Sequence, residues 1–114
     1  MMLLAIMASA AMQAESWTCS YPGALGGAPA VARFARDGDD LVETDLLNLR
    51  FRIVRDDTDA LVAVDASTWA SDGQTHSGAN VINIDKHSGA FLRAELVAPS
   101  EGAARIVRGT CLAV

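Results

Sequence analysis

Few side chains in this chain could do chemistry. The two histidines, His76 and His87, each lie beside serine and glycine. His76 follows Asp72 in the segment 70–78, ASDGQTHSG, and His87 follows Asp85 and Lys86. An Asp–His pair such as Asp72 and His76 is the minimum for base-assisted hydrolysis, because the carboxylate orients and steadies the imidazole. A metal site would need the histidines to converge with Asp72 or Asp85. The acids cluster at Asp37, Asp39 and Asp40 and again at Asp56, Asp57 and Asp59. Neither cluster has the long calcium loop with its terminal glutamate, and aspartate is a common turn former, so both read as solvated turns.

The motifs of familiar enzymes are missing: no G-x-S-x-G, no H-E-x-x-H, no P-loop, no C-x-x-C. Gly23, Gly26 and Gly27 do not have the spacing of a dinucleotide loop. We therefore expect no catalytic set, no metal and no cofactor. Recognition remains. Trp69 stands where a strand meets the polar segment 70–78, and it reads either as a barrel plug or as an exposed anchor. Asp72 and His76 share that segment, and Lys86 and His87 sit at the tip of a second turn. These five are the possible binding residues. Arg50 and Arg52 share one strand face, which reads as solvated and guarded against edge pairing.

The elements that position these residues are strands. Residues 81–97, VINIDKHSGAFLRAELV, read as a hairpin. Ile82 and Ile84 face the core on its first arm, Gly89 suits a left-handed position in the turn, and Leu92, Ala94 and Leu96 form the apolar face of the second arm. Leu49, Phe51 and Ile53 alternate with Arg50 and Arg52, and the phase slips at Val54–Arg55, where a bulge or the strand end belongs. Further strands are expected at 16–21, 30–36, 41–46, 60–68 and 104–112, with turns at 37–40, 56–59 and 99–102. The segment 70–78 reads as the longest polar loop of the second half. No segment beyond the leader has a helical period. Seven or eight short strands with tight turns give an all-β domain over 15–114. We expect a small antiparallel up-and-down barrel closed by one disulfide, with a two-sheet sandwich as the alternative.

The disulfide expectation rests on Cys19 and Cys111, the only cysteines, near the two ends of that domain. Free thiols or a metal site are the other readings, and two cysteines without nearby histidines make a poor metal set. A bond between them requires the first and last strands to be neighbours. Trp17, in phase with Cys19, then packs over it.

Residues 1–14, MMLLAIMASAAMQA, carry no charge. An apolar run leads into Ala8-Ser9-Ala10, the small-x-small pattern of signal-peptidase sites, so 1–14 reads as a signal peptide. The run is shorter than the roughly 20 residues that span a bilayer. The expected location is periplasmic or extracellular, with membrane contact only during export. A net charge of −5 argues against nucleic acid, since phosphate binding needs clustered cations.

W-x-C at Trp17–Cys19, F-R-I-V-R-D-D at 51–57, I-D-K-x-S-G at 84–89 and G-x-C at 109–111 together resemble small exported bacterial β-proteins of unknown function. That resemblance implies fold and compartment and no activity. The chain is also similar to periplasmic lysozyme inhibitors of the small-barrel type, which pair a near-N-terminal cysteine with a C-terminal one. Their S-G-x-x-Y segment is not matched, because Ala79, Asn80 and Val81 follow Ser77-Gly78. The functional expectation is a non-catalytic binding or interaction module of the cell envelope, whose partner is a protein or a small apolar ligand. The alternative is an inhibitor of a secreted hydrolase, such as a lysozyme or protease, acting through 70–78.

Overall fold

Eight antiparallel strands close into one barrel in the structure, a computed structural model that describes residues 16–23, 27–45, 49–98 and 105–114. They are β1 (Ser16–Tyr21), β2 (Ala30–Asp37), β3 (Asp40–Glu43), β4 (Leu49–Asp56), β5 (Ala60–Ser71), β6 (Gln74–Asp85), β7 (Ala90–Ala98) and β8 (Arg105–Ala113). Each strand pairs with its neighbours in sequence, and β8 returns to β1. The architecture is the up-and-down barrel, not the sandwich. There is no helix among the described residues. The leader expected over 1–14 and the turn expected over 99–102 lie outside the described residues.

The barrel closes where Cys19 stands opposite Cys111. The two are disulfide-bonded, with Cα atoms 3.9 Å apart. Next to this bond the approach of β8 to β1 is very tight. A Cβ on Gly109 would lie 2.0 Å from the Ser20 carbonyl oxygen, so only glycine lets the seam close.

Alternation fills the interior. Phe51 is buried on the inner face of β4 beside half-buried Leu49 and Ile53, and the ladder slips between Ile53 and Arg55 where the sequence phase slips. Phe34 packs against Phe51 and Phe91, with ring centroids 6.4 and 6.1 Å apart. Trp17, Leu41, Leu61, Ile82 and Ile84 complete one buried cluster that includes both cysteines. An eight-stranded barrel has an interior just wide enough for its own side chains, and these residues occupy it. Burying each large apolar side chain contributes roughly 1.5–3 kcal/mol.

Three strand readings are corrected. The first is the face of β7. Ile84 pairs with Phe91 and Ile82 with Arg93, and cross-strand partners share a face. Phe91 and Arg93 therefore point inward, while Leu92, Ala94 and Leu96 point outward, with Leu96 52% exposed. Of the outward set, Ala94 lies in an apolar row with Val64, Val81 and Ile106, Leu96 lies opposite Ala79, and Leu92 lies between Asn83 and Arg108. The second correction concerns 70–78, which is not a loop. β5 runs to Ser71 and β6 starts at Gln74, joined by Asp72 and Gly73, both with positive φ (53° and 71°). Two such residues make the tight turn whose twist matches a hairpin. β3 is also shorter than expected, ending at Glu43.

Candidate functional site

The inner face of the sheet continues past the core on β5–β8. Going up from the core, one row is Ala63, Ile82, Arg93 and Val107, and the next is Asp65, Asn80, Glu95 and Arg105. Above these come Ser67 opposite Gly78, then Trp69 opposite His76. The composition changes from apolar to charged to aromatic as the rows leave the closed barrel and strands drop out of the sheet. The β4–β5 ladder ends at Arg52 and Val64, and β7 accompanies β6 as far as Ala98 opposite Ser77, so among the described residues only the end of the arm, with Trp69 and His76, is two-stranded.

At the top, the Trp69 indole stacks on the His76 imidazole, with centroids 5.6 Å apart and planes 16° from parallel. Gly78 makes room for it. A Cβ there would meet Trp69 Cζ3 at 3.0 Å and Leu96 O at 3.3 Å. Trp69 remains 41% exposed, so it is a surface side chain on the arm and not a plug in the barrel. Its carrier is stiff, since the β5–β6 pairing runs unbroken from Ala60–Asp85 to Ser71–Gln74.

At the base of the same face is a buried ion pair. Arg93 Nη1 donates to Glu43 Oε2 at 3.1 Å, across the barrel from β7 to β3, with side chains only 12% and 4% exposed. The guanidinium carbon lies 5.6 Å from the centroid of the Phe51 ring, a cation–π contact. Glu95 Oε1 lies 3.4 Å from Arg93 Nε, which makes no hydrogen bond among the described residues. Arg93 and Glu43 carry no signal in the sequence. Their partnership spans 50 positions, and nothing local to either residue announces it.

The five expected binding residues fall into two groups at opposite ends of the barrel. Trp69, Asp72 and His76 share the arm. Lys86 and His87 sit at the other end, ~33 Å from His76 along β6 at ~3.3 Å per residue. Asp72 occupies the turn, and no hydrogen bond joins it to His76 among the described residues. Among the described residues no three His, Cys, Asp or Glu side chains gather as metal ligands.

Lys86 and His87 are engaged in tying two turns together. Asp56 takes both Arg36 and Lys86, and the Lys86 N–H donates to Asp59 O at 2.9 Å. His87 Nε2 lies 2.7 Å from Asp59 Oδ1. Asp57 accepts the N–H groups of Asp59 and Ala60, each at 2.9 Å. With Arg55 as the first cause and these N–H groups next, the Asp57 carboxyl is held down at about 2. Arg50 bonds Asp37 and Asp40 at 2.7 and 3.2 Å, and Arg52 bonds Asp40. Asp37, Asp40, Asp56, Asp57 and Asp59 are thus engaged by basic side chains at or beside the turns.

The His87–Asp59 contact has a pH signature. The Asp59 carboxylate raises the imidazole above its ordinary 6.5, first through the hydrogen bond and then through its charge, with a smaller push from Asp85. A raised folded-state value means that the contribution is fully present below about 6.5 and is lost as pH rises through the folded value. An NMR titration of the two histidines is expected to place the His87 midpoint above 6.5, and Asp59→Asn to bring it back. An unchanged midpoint in that variant would show that the contact does not hold in solution.

Compared with protein-family models, with curated proteins and with solved structures, the chain finds no match.

Proposed function

We propose that the protein is a non-catalytic binding module of the cell envelope, exported to the periplasm or beyond, and that it takes a protein partner on the Trp69–His76 arm. The observation that carries this reading is the position of the stack. The interior is filled by core side chains, so the exposed indole on a stiff arm is the natural anchor. Tryptophan concentrates binding energy where it is held rigidly, because little side-chain entropy is lost on contact. The disulfide is compatible with an oxidising compartment outside the cytoplasm, which supports export.

The test is capture from envelope extract with wild type and Trp69→Ala as parallel baits. Wild type is expected to retain a partner, and Trp69→Ala to weaken it by at least roughly tenfold, the scale of a hot-spot truncation. Identical retention by both baits would move the site off the arm. No retention by wild type, together with no bound small molecule by native mass spectrometry, would remove the reading.

The shape of the arm favours one second reading, inhibition of a secreted hydrolase. A two-stranded ribbon ending in a two-residue turn is narrow enough to enter a substrate cleft. Assays against lysozymes and proteases decide this, and no inhibition at micromolar protein ends it.

A further inference from the structure

β5 outruns its neighbour. Leu49, Arg50 and Phe51 continue β4 against β3, yet β4 leaves β5 at Arg52 opposite Val64. From Asp65 to Ser71, β5 is paired only with β6 among the described residues. The direction of its free backbone groups follows from the turn. In a two-residue hairpin the residues flanking the turn exchange hydrogen bonds, and here these are Ser71 and Gln74. Alternation then points the N–H and C=O groups of Ser71, Trp69 and Ser67 at β6. Those of Ala70, Thr68 and Ala66 point away from β6, along an edge where no described residue pairs with them.

Exposed edges are normally guarded by lysine, proline, a bulge or an inward charge. Residues 66–71, ASTWAS, have no charge and no proline, and their pairing with β6 has no bulge. We infer that this edge pairs antiparallel with the same edge of a second copy, about a two-fold axis at Thr68.

The match to a second copy is specific. The axis sets Thr68 opposite the second copy's Thr68, and Ala66 opposite its Ala70, so all three outward-pointing positions find hydrogen-bonding partners. Asp65, the one charge in 65–71, meets Ser71 of the other chain and never itself. On the inner face, Trp69 stands opposite the second copy's Ser67 and diagonal to its Trp69. Aromatic side chains can span that diagonal. A two-fold contact demands such a self-matching surface. The pairing joins two inner faces into one, and the second copy then contributes its Trp69 to the aromatic end of the arm. The inference rests on the edge and not on the binding reading. A junction of one strand per chain falls below the ~1,200 Å² of stable complexes, so the dimer is weak and concentration-dependent.

Sedimentation equilibrium of the full chain up to millimolar concentration tests this without any other partner. Wild type is expected to pass from monomer to dimer. Thr68→Pro removes the N–H that the edge offers and leaves the β5–β6 ladder intact, which a proline can do only at an edge-facing position. Thr68→Lys places a charge facing its own image. Both variants are expected to weaken association at least tenfold with unchanged near-UV circular dichroism. Should Thr68→Pro misfold, Thr68→Lys still decides. A wild-type chain that stays monomeric at millimolar concentration, or a dimer that Thr68→Lys leaves unchanged, overturns the proposal.

Discussion

Reducing the Cys19–Cys111 bond is expected to lower the thermal midpoint by on the order of 15 °C. The bond links positions 92 apart in sequence. In the chain-entropy model a loop of that length is worth about 4–5 kcal/mol, and relaxation of the open chain reduces the measured figure to roughly 2–5. Net stability for a domain this small is only ~5–15 kcal/mol, so the loss is a large share of it. Its location adds to the effect. β1 and β8 are the first and last strands, so closing their seam without the bond carries the loop-closure entropy of almost the whole domain. The bond holds the seam in the unfolded chain as well. The measurement is a pair of melts, oxidised and reduced, with Cys19→Ala/Cys111→Ala as a check on reagent effects. A reduced protein melting within a few degrees of the oxidised one would mean that ladder hydrogen bonds and the Gly109 fit close the barrel unaided.

That seam is legible in the sequence, because two cysteines at the ends of an alternating chain leave few topologies. The bulge after Ile53 is legible for a similar reason, since Leu49, Phe51 and Ile53 keep phase and Val54 breaks it. β7 is not legible. Its sequence, AFLRAELVA, offers two alternating sets, and the set with more apolar members is the wrong one. Hairpin register decides, by setting Phe91 opposite Ile84. Local alternation cannot report that register, nor can it report that Ala94 lies in an outer row of apolar side chains. The arm is hidden by composition. ASDGQTHSG looks like a loop because its inner face meets no core, but the Asp72-Gly73 pair between S-T-W-A-S and Q-T-H-S-G is a hairpin signal in plain view. That pair alone is enough to place Trp69 opposite His76.

The buried pair at the base of the site gives the second large effect. Glu43 and Arg93 lie inside the barrel, so each has exchanged water for the other. Removing one partner leaves the remaining charge in the interior, which costs about 3–5 kcal/mol for a fully desolvated pair. Glu95 beside Arg93 Nε, itself 35% exposed, offsets part of that for Glu43→Leu. We therefore expect roughly 2–4 kcal/mol from this single substitution in urea melts. Arg93→Met is expected to cost more than a surface substitution as well, because Glu43 is then left in the core without its partner and Phe51 loses its cation. The double variant Glu43→Leu/Arg93→Met separates charge from packing. With both charges gone, the site is apolar, and stability is expected to recover to within about 1 kcal/mol of wild type or to exceed it. The double-mutant cycle reads the coupling directly. Additive losses would show that the two side chains do not meet in solution. If coupling is found and the stable double variant still binds the partner captured by wild type, the pair serves the fold alone. If that variant has lost the partner, the Glu43–Arg93 pair serves the binding face as well as the fold.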